Sequence, residues 1–315
     1  MKVIVIGPGA LGCLFAAKLS RTNEVWLLDH DVERAEQLMR SGLYLEEEGR
    51  QVWCAIRATA DPELPGVADL ALLCVKSHQI AEAVLAAEPA LRQVELLLAL
   101  PNGIGHLEVL ADLCRGRCWG VGVTAQGATL AGTGQVIHRG EGLTKIGFSA
   151  GGEVVKVGDP SPQKLLLAAA DTLTQAGLPS EAVADIIPHL WGKLLVNVGI
   201  NALTAIHDCP NGALLDSPRL VEMMTAAVQE AALLAARLGI ELPGDPVART
   251  KEVCRATGAN ISSMLQDVRA GRRTEIEAIN GAVVRMAKKL GMAVPLNAEL
   301  LHQVRSKERN YYVCY

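Results

Sequence analysis

Between residues 188 and 206 the chain reads as an apolar run of about five helical turns, broken at a fixed interval by Lys193, Asn197 and Asn201. Spacing of i, i+4, i+8 stacks these three on one side of a helix with a drift of roughly 40° per step. Leu190, Leu194, Leu195 and Val198 then face elsewhere. An ammonium and two carboxamides are costly to bury unpaired, so the stripe is expected to face a polar cleft or to pair within itself. The pattern points to a cleft for a small polar substrate. The structural alternative is a polar seam that glues two helices together.

The opening pattern is different. Residues 2–6 are nearly all β-branched, as expected of a central parallel strand covered on both faces, and Gly7-Pro8-Gly9-Ala10-Leu11-Gly12 follows at once. This G-x-G-x-x-G spacing falls between a strand and a helix, predicted over residues 13–20, which is the context that makes the motif informative. Gly7 permits the tight turn, Gly9 lets a pyrophosphate approach the backbone, and Gly12 lets the helix pack on the strand. The helix start around Ala10 and Leu11 offers free N–H groups and a positive dipole end. A second strand over 24–28 ends in Asp29, about 20 residues past the glycines, where a carboxylate accepts hydrogen bonds from an adenosine ribose.

A helix over 31–41 and a hairpin built from 43–45 and 51–56 come next, the hairpin read as a small decoration on the sheet. Buried strands at 69–75 and 95–100 deliver Lys76 and Asn102 to the carboxyl rim of an open parallel sheet, where ligands bind. Segments 120–126, 134–139 and 143–147 read as strands that extend this sheet antiparallel. Ser161-Pro162 opens a helix that Gly177 closes, and after a short strand near Ala182 the β pattern ends. Two domains are therefore expected, 1–184 and 185–315. The second is all helix, with Ser217-Pro218 opening a long helix closed by Gly239 and another helix over 246–257. Residues 260–281 are dense in Ser, Asp, Arg and Glu, Ser263 and Glu275 among them, too dense for a packing face alone.

Composition narrows the classes. A 315-residue chain with 50% hydrophobic and 20% charged residues builds a large core, and its net charge is only -4. Lys and Arg are scattered, which leaves no electrostatic footprint for nucleic acid or an anionic membrane. Aromatics at 3% argue against base-stacking platforms. The eight cysteines are thinly spread, with Cys13, Cys74 and Cys209 inside apolar segments, so reduced thiols and a cytoplasmic setting are expected. Cys114 and Cys118 lack a second pair at ligand spacing, so no metal site is read. Assembly is open between monomer and homodimer, because one dimension does not separate surface apolar patches from core.

Several blocks resemble the ketopantoate reductase (2-dehydropantoate 2-reductase) family along the whole chain: G-P-G-A-L-G, C-V-K-S, P-N-G-I-G, L-W-G-K-L-L-V-N-V-G-I-N-A-L-T-A-I, N-I-S-S-M-L-Q-D-V-R and T-E-I-E-A-I-N-G. The resemblance implies an α/β fold, a Rossmann-type dinucleotide-binding domain followed by an all-α domain like that of 6-phosphogluconate dehydrogenase. It also implies NADPH-dependent reduction of ketopantoate to pantoate. Lys193 falls on the family's catalytic lysine, Asn197, Asn201 and Ser263 on substrate-site positions, and Glu275 on the active-site glutamate. Lys76 and Asn102 fall on cofactor-side positions, Asn102 and Glu275 lying where substrate and cofactor meet. Lys193 is then the cation beside the keto oxygen, oriented by Glu275.

One position departs from that pattern. Where NADPH-dependent members commonly place an arginine after the second strand, this chain has Leu28-Asp29-His30-Asp31, and its nearest arginine is Arg34. Two carboxylates repel a 2′-phosphate, so Asp29 argues for NAD while the family argues for NADP, with His30 or Arg34 as the groups that reconcile them. Reductases of another branched 2-keto acid and non-catalytic dinucleotide sensors are the rival readings. The intact set Lys193, Asn197, Asn201, Ser263 and Glu275 speaks against a sensor.

Overall fold

A computed structural model describes residues 1–149, 152 and 161–309. Strand and helix order along the first part is β1 (Lys2–Ile6), α1 (Ala10–Leu19), β2 (Glu24–Leu28), α2 (Val32–Ser41), β3 (Leu43–Glu47), β4 (Arg50–Cys54), β5 (Arg57–Thr59) and β6 (Ala68–Leu73). There follow α3 (Ile80–Ala86), α4 (Glu88–Leu91), β7 (Val94–Ala99), α5 (Leu107–Leu113), β8 (Trp119–Thr124), β9 (Gly127–Gly132), β10 (Gln135–Gly140), β11 (Thr144–Phe148), α6 (Pro162–Gln175) and β12 (Ser180–Ala182). The rest is helical: α7 (Ile187–His207), α8 (Pro218–Arg237), α9 (Pro246–Ala256), α10 (Ser263–Arg269), α11 (Asn280–Lys289) and α12 (Pro295–Arg309). Two compact units result, Met1–Pro101 with Leu107–Ile186, and Asn102–His106 with the chain from Ile187 onward.

In the first unit an eight-stranded sheet has the order β12-β11-β8-β7-β6-β1-β2-β5. Strands β5, β2, β1, β6, β7 and β8 are parallel, and only β11 and β12 run the other way. Val3, Val5, Leu27, Leu70 and Leu72 at its centre are fully buried, as the unbroken apolar runs require of a sheet covered on both faces. The register keeps the carboxyl ends level: Ile6 pairs with Leu28 and with Leu73, and Leu73 with Ala99. The Gly7 turn, Asp29 and Lys76 therefore leave the sheet along one edge.

The hairpin of β3 and β4 is not a decoration on this sheet. It joins β10 and β9 in a separate four-stranded sheet of order β4-β3-β10-β9, with β10 parallel to β3. Residues 134–139 thus leave the main sheet, contrary to the sequence expectation, while β8 runs parallel to β7, and of the three segments expected to extend the sheet antiparallel only β11 does so. Local alternation marks a strand without naming its partner, and here the partner lies some 90 residues away.

The second unit is built around α7, on which α8, α9, α10 and α12 all pack. Leu190, Trp191, Leu194, Leu195 and Val198 supply its buried face. Ser217 caps α8 by accepting from the Leu220 N–H at 3.4 Å, and Asp245 caps α9 by accepting from the Val247 N–H at 2.8 Å. Among the described residues seven cysteines are free thiols, Cys314 lying outside them, and no helix is long and apolar enough to cross a membrane.

Candidate active site

The glycine turn fits a dinucleotide pyrophosphate. Gly7 has φ +97°, and a Cβ there would meet Val75 Cγ1 at 2.5 Å. A Cβ on Gly12 would land on the Gly7 carbonyl oxygen, so α1 seats against the turn only because that side chain is missing. Gly9 is different, since nothing lies nearer to its would-be Cβ than the Cys74 carbonyl at 3.9 Å. That open space sits at the start of α1, where no side chain caps the helix and the first intrahelical bond runs from Cys13 N–H to Gly9 O at 2.9 Å. The N–H groups of Ala10, Leu11 and Gly12 in that first turn have no intrahelical acceptor, and the helix dipole favours an anion there.

Asp29 occupies the expected place at the end of β2, but its carboxylate is already engaged. Arg34 grips it with both arms, Nε to Oδ2 at 2.5 Å and Nη2 to Oδ1 at 2.6 Å, and the Asp31 N–H donates to Oδ1 at 3.2 Å. The Asp29 side chain has no exposed surface, whereas Arg34 keeps 36% and His30 72% of theirs. Asp31 caps α2 by accepting from the Arg34 N–H at 3.0 Å, which holds its carboxyl below the usual range. Lys76 stands just past β6, where its N–H donates to Gln79 Oε1 at 3.4 Å at the head of a 3-10 turn.

The helical unit carries the polar stripe. Lys193 and Asn197 are half-buried on α7, and Asn201, one turn further on, is 6% exposed. Burial pulls the Lys193 ammonium down from its ordinary value to about 8, and the Glu275 charge opposes that fall. Glu275 lies on the turn between α10 and α11, and its Oε2 accepts from Asn102 Nδ2 at 2.8 Å. Asn102 leaves the carboxyl end of β7, yet its segment docks within the helical unit: Gly103 turns at φ +80° against Ala278, and the Ile104 N–H donates to Ala278 O at 3.2 Å. Lys193, Glu275 and Asn102 thus come together from stretches that are far apart in sequence.

Ser263 is exposed as the first residue of α10. The cap is its neighbour Ser262, whose Oγ accepts from the Leu265 N–H at 3.1 Å and lies 2.7 Å from Thr204 Oγ1 on α7. Patterning gave no hint of His106. It is 2% exposed, its ring nitrogens have no hydrogen-bond partner among the described residues, and burial lowers it to about 4, so it is neutral. Glu47, His138 and Glu141 bring three potential ligand atoms within 4.8 Å of one another. Lys18 Nζ sits 2.5 Å from Glu47 there, and the His138 ring nitrogens face Glu47 at 2.9 Å and Gln126 Oε1 at 2.8 Å, so an ammonium already holds the cation's place.

Residues 3–151 match the family model described as "Ketopantoate reductase PanE/ApbA", and residues 185–308 match "Ketopantoate reductase PanE/ApbA C terminal". A 2-dehydropantoate 2-reductase of Halobacterium salinarum is 34% identical over 314 residues, covering 98% of this chain and 100% of the relative. Among solved structures, a PanE/ApbA family ketopantoate reductase from Ralstonia eutropha superposes with TM-score 0.87 at 31% identity, covering 99% of this chain and 100% of that one. A D-mandelate dehydrogenase solved with NADH and anilino(oxo)acetate gives TM-score 0.87 at 29% identity, with the same coverage.

Proposed function

The chain belongs to the PanE/ApbA ketopantoate reductase family, and from that premise we propose that it is an NADPH-dependent 2-dehydropantoate 2-reductase, converting ketopantoate to pantoate for pantothenate synthesis. The observation that carries the reading is Lys193, a lysine brought to about 8 by burial with the Glu275 carboxylate beside it. A group with that value is mostly protonated at neutral pH yet gives its proton up readily, which is what a general acid needs.

The bound dinucleotide supplies the hydride. The work of the chain is proton and charge. Lys193 stands beside the keto oxygen, stabilises the negative charge that grows there, and delivers the proton that completes the alcohol. Glu275 keeps that ammonium charged and is itself fixed by the Asn102 amide at 2.8 Å. Asn197, Asn201 and Ser263 offer donors and acceptors suited to a substrate with a carboxylate, a ketone and a hydroxyl. Lys76 and the glycine turn serve the dinucleotide.

The test is loss of reduced-nicotinamide absorbance on adding ketopantoate to the purified protein with NADPH. No turnover with NADPH or NADH overturns the reading. The likeness to a D-mandelate dehydrogenase supports a second one, a reductase of another branched or aryl 2-keto acid. A panel of 2-keto acids separates the two by kcat/KM: the first requires ketopantoate to lead, and the second requires a different acid to exceed it.

A further inference from the structure

Helix α12 carries a carboxylate where its pattern calls for an apolar side chain. Asn297, Leu301 and Val304 follow one another at i+4 and i+3 along its covered face, and the next place in that stripe is Glu308. Glu308 is half-buried and directs one oxygen at one residue: its Oε1 accepts from the Thr274 N–H at 2.7 Å and from the Thr274 hydroxyl at 2.6 Å. Thr274 is 1% exposed and immediately precedes Glu275. Its hydroxyl has a single proton, so giving that proton to Glu308 leaves a lone pair for the Ile276 N–H, which donates to Thr274 Oγ1 at 3.2 Å. The ring of bonds so closed has Glu275 at its middle.

A second hold lies on the far side. Glu277 Oε1 accepts from Arg305 Nε on the same helix α12, while Arg285 of α11 donates to Glu277 Oε2 at 3.3 Å and to the Glu277 carbonyl at 2.9 Å. Helix α12 is itself anchored at its start, where Glu230 of α8 accepts from the Leu296 and Asn297 N–H groups at 2.9 and 3.0 Å. The Glu275 carbonyl accepts from the Ala278 and Ile279 N–H groups, which fixes the chain after it. Glu308 fixes the chain before it.

Resting on the reading of Lys193 as proton donor with Glu275 as its partner, we propose that Glu308 is a positioning residue for that pair, setting through Thr274 where the Glu275 carboxylate lies against the ammonium. Coulomb attraction falls with distance, so a carboxylate that drifts from about 4 to about 6 Å loses roughly a third of it. Asn102 holds Oε2 of the same carboxylate at 2.8 Å, and a side chain tethered at its tip is aimed only if its backbone is fixed as well. Of the remaining charges on the turn, Arg272 pairs with Asp267 at 3.2 Å, Glu277 meets the two arginines above, and Arg273 precedes Thr274 in sequence. Arg305 feels the charge of Glu277 and of Glu308.

The test reads Lys193 directly, as the pH midpoint of its Cε signal in carbon-13 NMR of lysine-labelled protein, with Lys193→Ala identifying the signal. Glu308→Ala should lower the midpoint by about 0.5 to 1 pH unit, the direction of Glu275→Gln, and Thr274→Val should lower it too. Glu308→Gln keeps an acceptor for both Thr274 donors without the charge, so it should restore most of the fall. In a Glu275→Gln background Glu308→Ala should produce no further change, because no carboxylate is left to aim. A midpoint that stays or rises in Glu308→Ala overturns the proposal. So does a fall that persists in the Glu275→Gln background, or one equally large in Glu308→Gln, since both mark the charge of Glu308 acting on Lys193 directly. If Glu308→Ala does not fold, Thr274→Val decides by its own midpoint, alone and in the Glu275→Gln background. Absence of turnover with every keto acid would sink the enzymatic reading and leave these titrations standing, so the two fail separately.

Discussion

A lysine ammonium withdrawn from water holds its proton less firmly, and for Lys193 the change is large enough to act near neutral pH. Replacing Lys193 by Ala should lower kcat by about 10² to 10⁴, the usual range for a positioned acid, with little change in dinucleotide affinity measured by titration. Glu275 opposes the burial effect, so its removal has a definite sign. In Glu275→Gln the ammonium loses its stabilising charge, the lysine falls further below about 8, and the alkaline limb of the rate profile moves to lower pH. An upward move would show that Glu275 is not the partner. The stripe was open to sequence reading because one helix period aligns Lys193, Asn197 and Asn201, whereas the role of Glu275 entered only through the family resemblance. The Asp29–Arg34 clamp was not, since nothing in L-D-H-D-V-E-R says which way the arginine folds. Asn102 was placed by its strand, but its bond to Glu275 depends on a turn made 173 residues earlier in the chain than its acceptor.

At the scale of the element, α7 carries two glycines that look alike in sequence and behave differently. A Cβ on Gly199 would meet Val228 Cγ2 and Thr250 Cγ2 at 2.8 Å, so this glycine sets how closely α8 and α9 approach. A Cβ on Gly192 would meet nothing within 4 Å. Alanine in place of a helical glycine gains about 1 kcal/mol of propensity, whereas overpacking a core costs about 1–3 kcal/mol. Gly192→Ala should therefore raise the thermal midpoint and Gly199→Ala lower it, a contrast that calorimetry on the pair would reveal. Periodicity made α7 visible to within a residue at each end, because 3.6-residue spacing is a local signal. The small sheet was hidden, because β3 finds β10 across a long stretch of chain and no local pattern encodes that choice.

Across the molecule, stability in acid should turn on Glu47. Burial raises its carboxyl, but hydrogen bonds from Lys18 and His138 and the charges of Lys18 and Arg21 outweigh burial and hold it at about 2. A carboxyl depressed in the folded state stabilises above its unfolded value of about 4.5 and loses that contribution as pH falls toward 2. Glu47→Gln should thus unfold at lower urea than the wild type at pH 7, and the gap should narrow between pH 4.5 and 2; a gap independent of pH would point to packing alone. The arrangement of the chain into two units has a different kind of consequence. Because Asn102–His106 belongs to the helical unit while its flanks belong to the other, the residues that meet at Glu275 are not inherited as one block. A crossover between homologous genes at the codons for Ile186 and Ile187 would take Lys193 and Glu275 from one parent and the 102–106 segment from the other, so the contact between Asn102 and Glu275 would be made by residues of different descent.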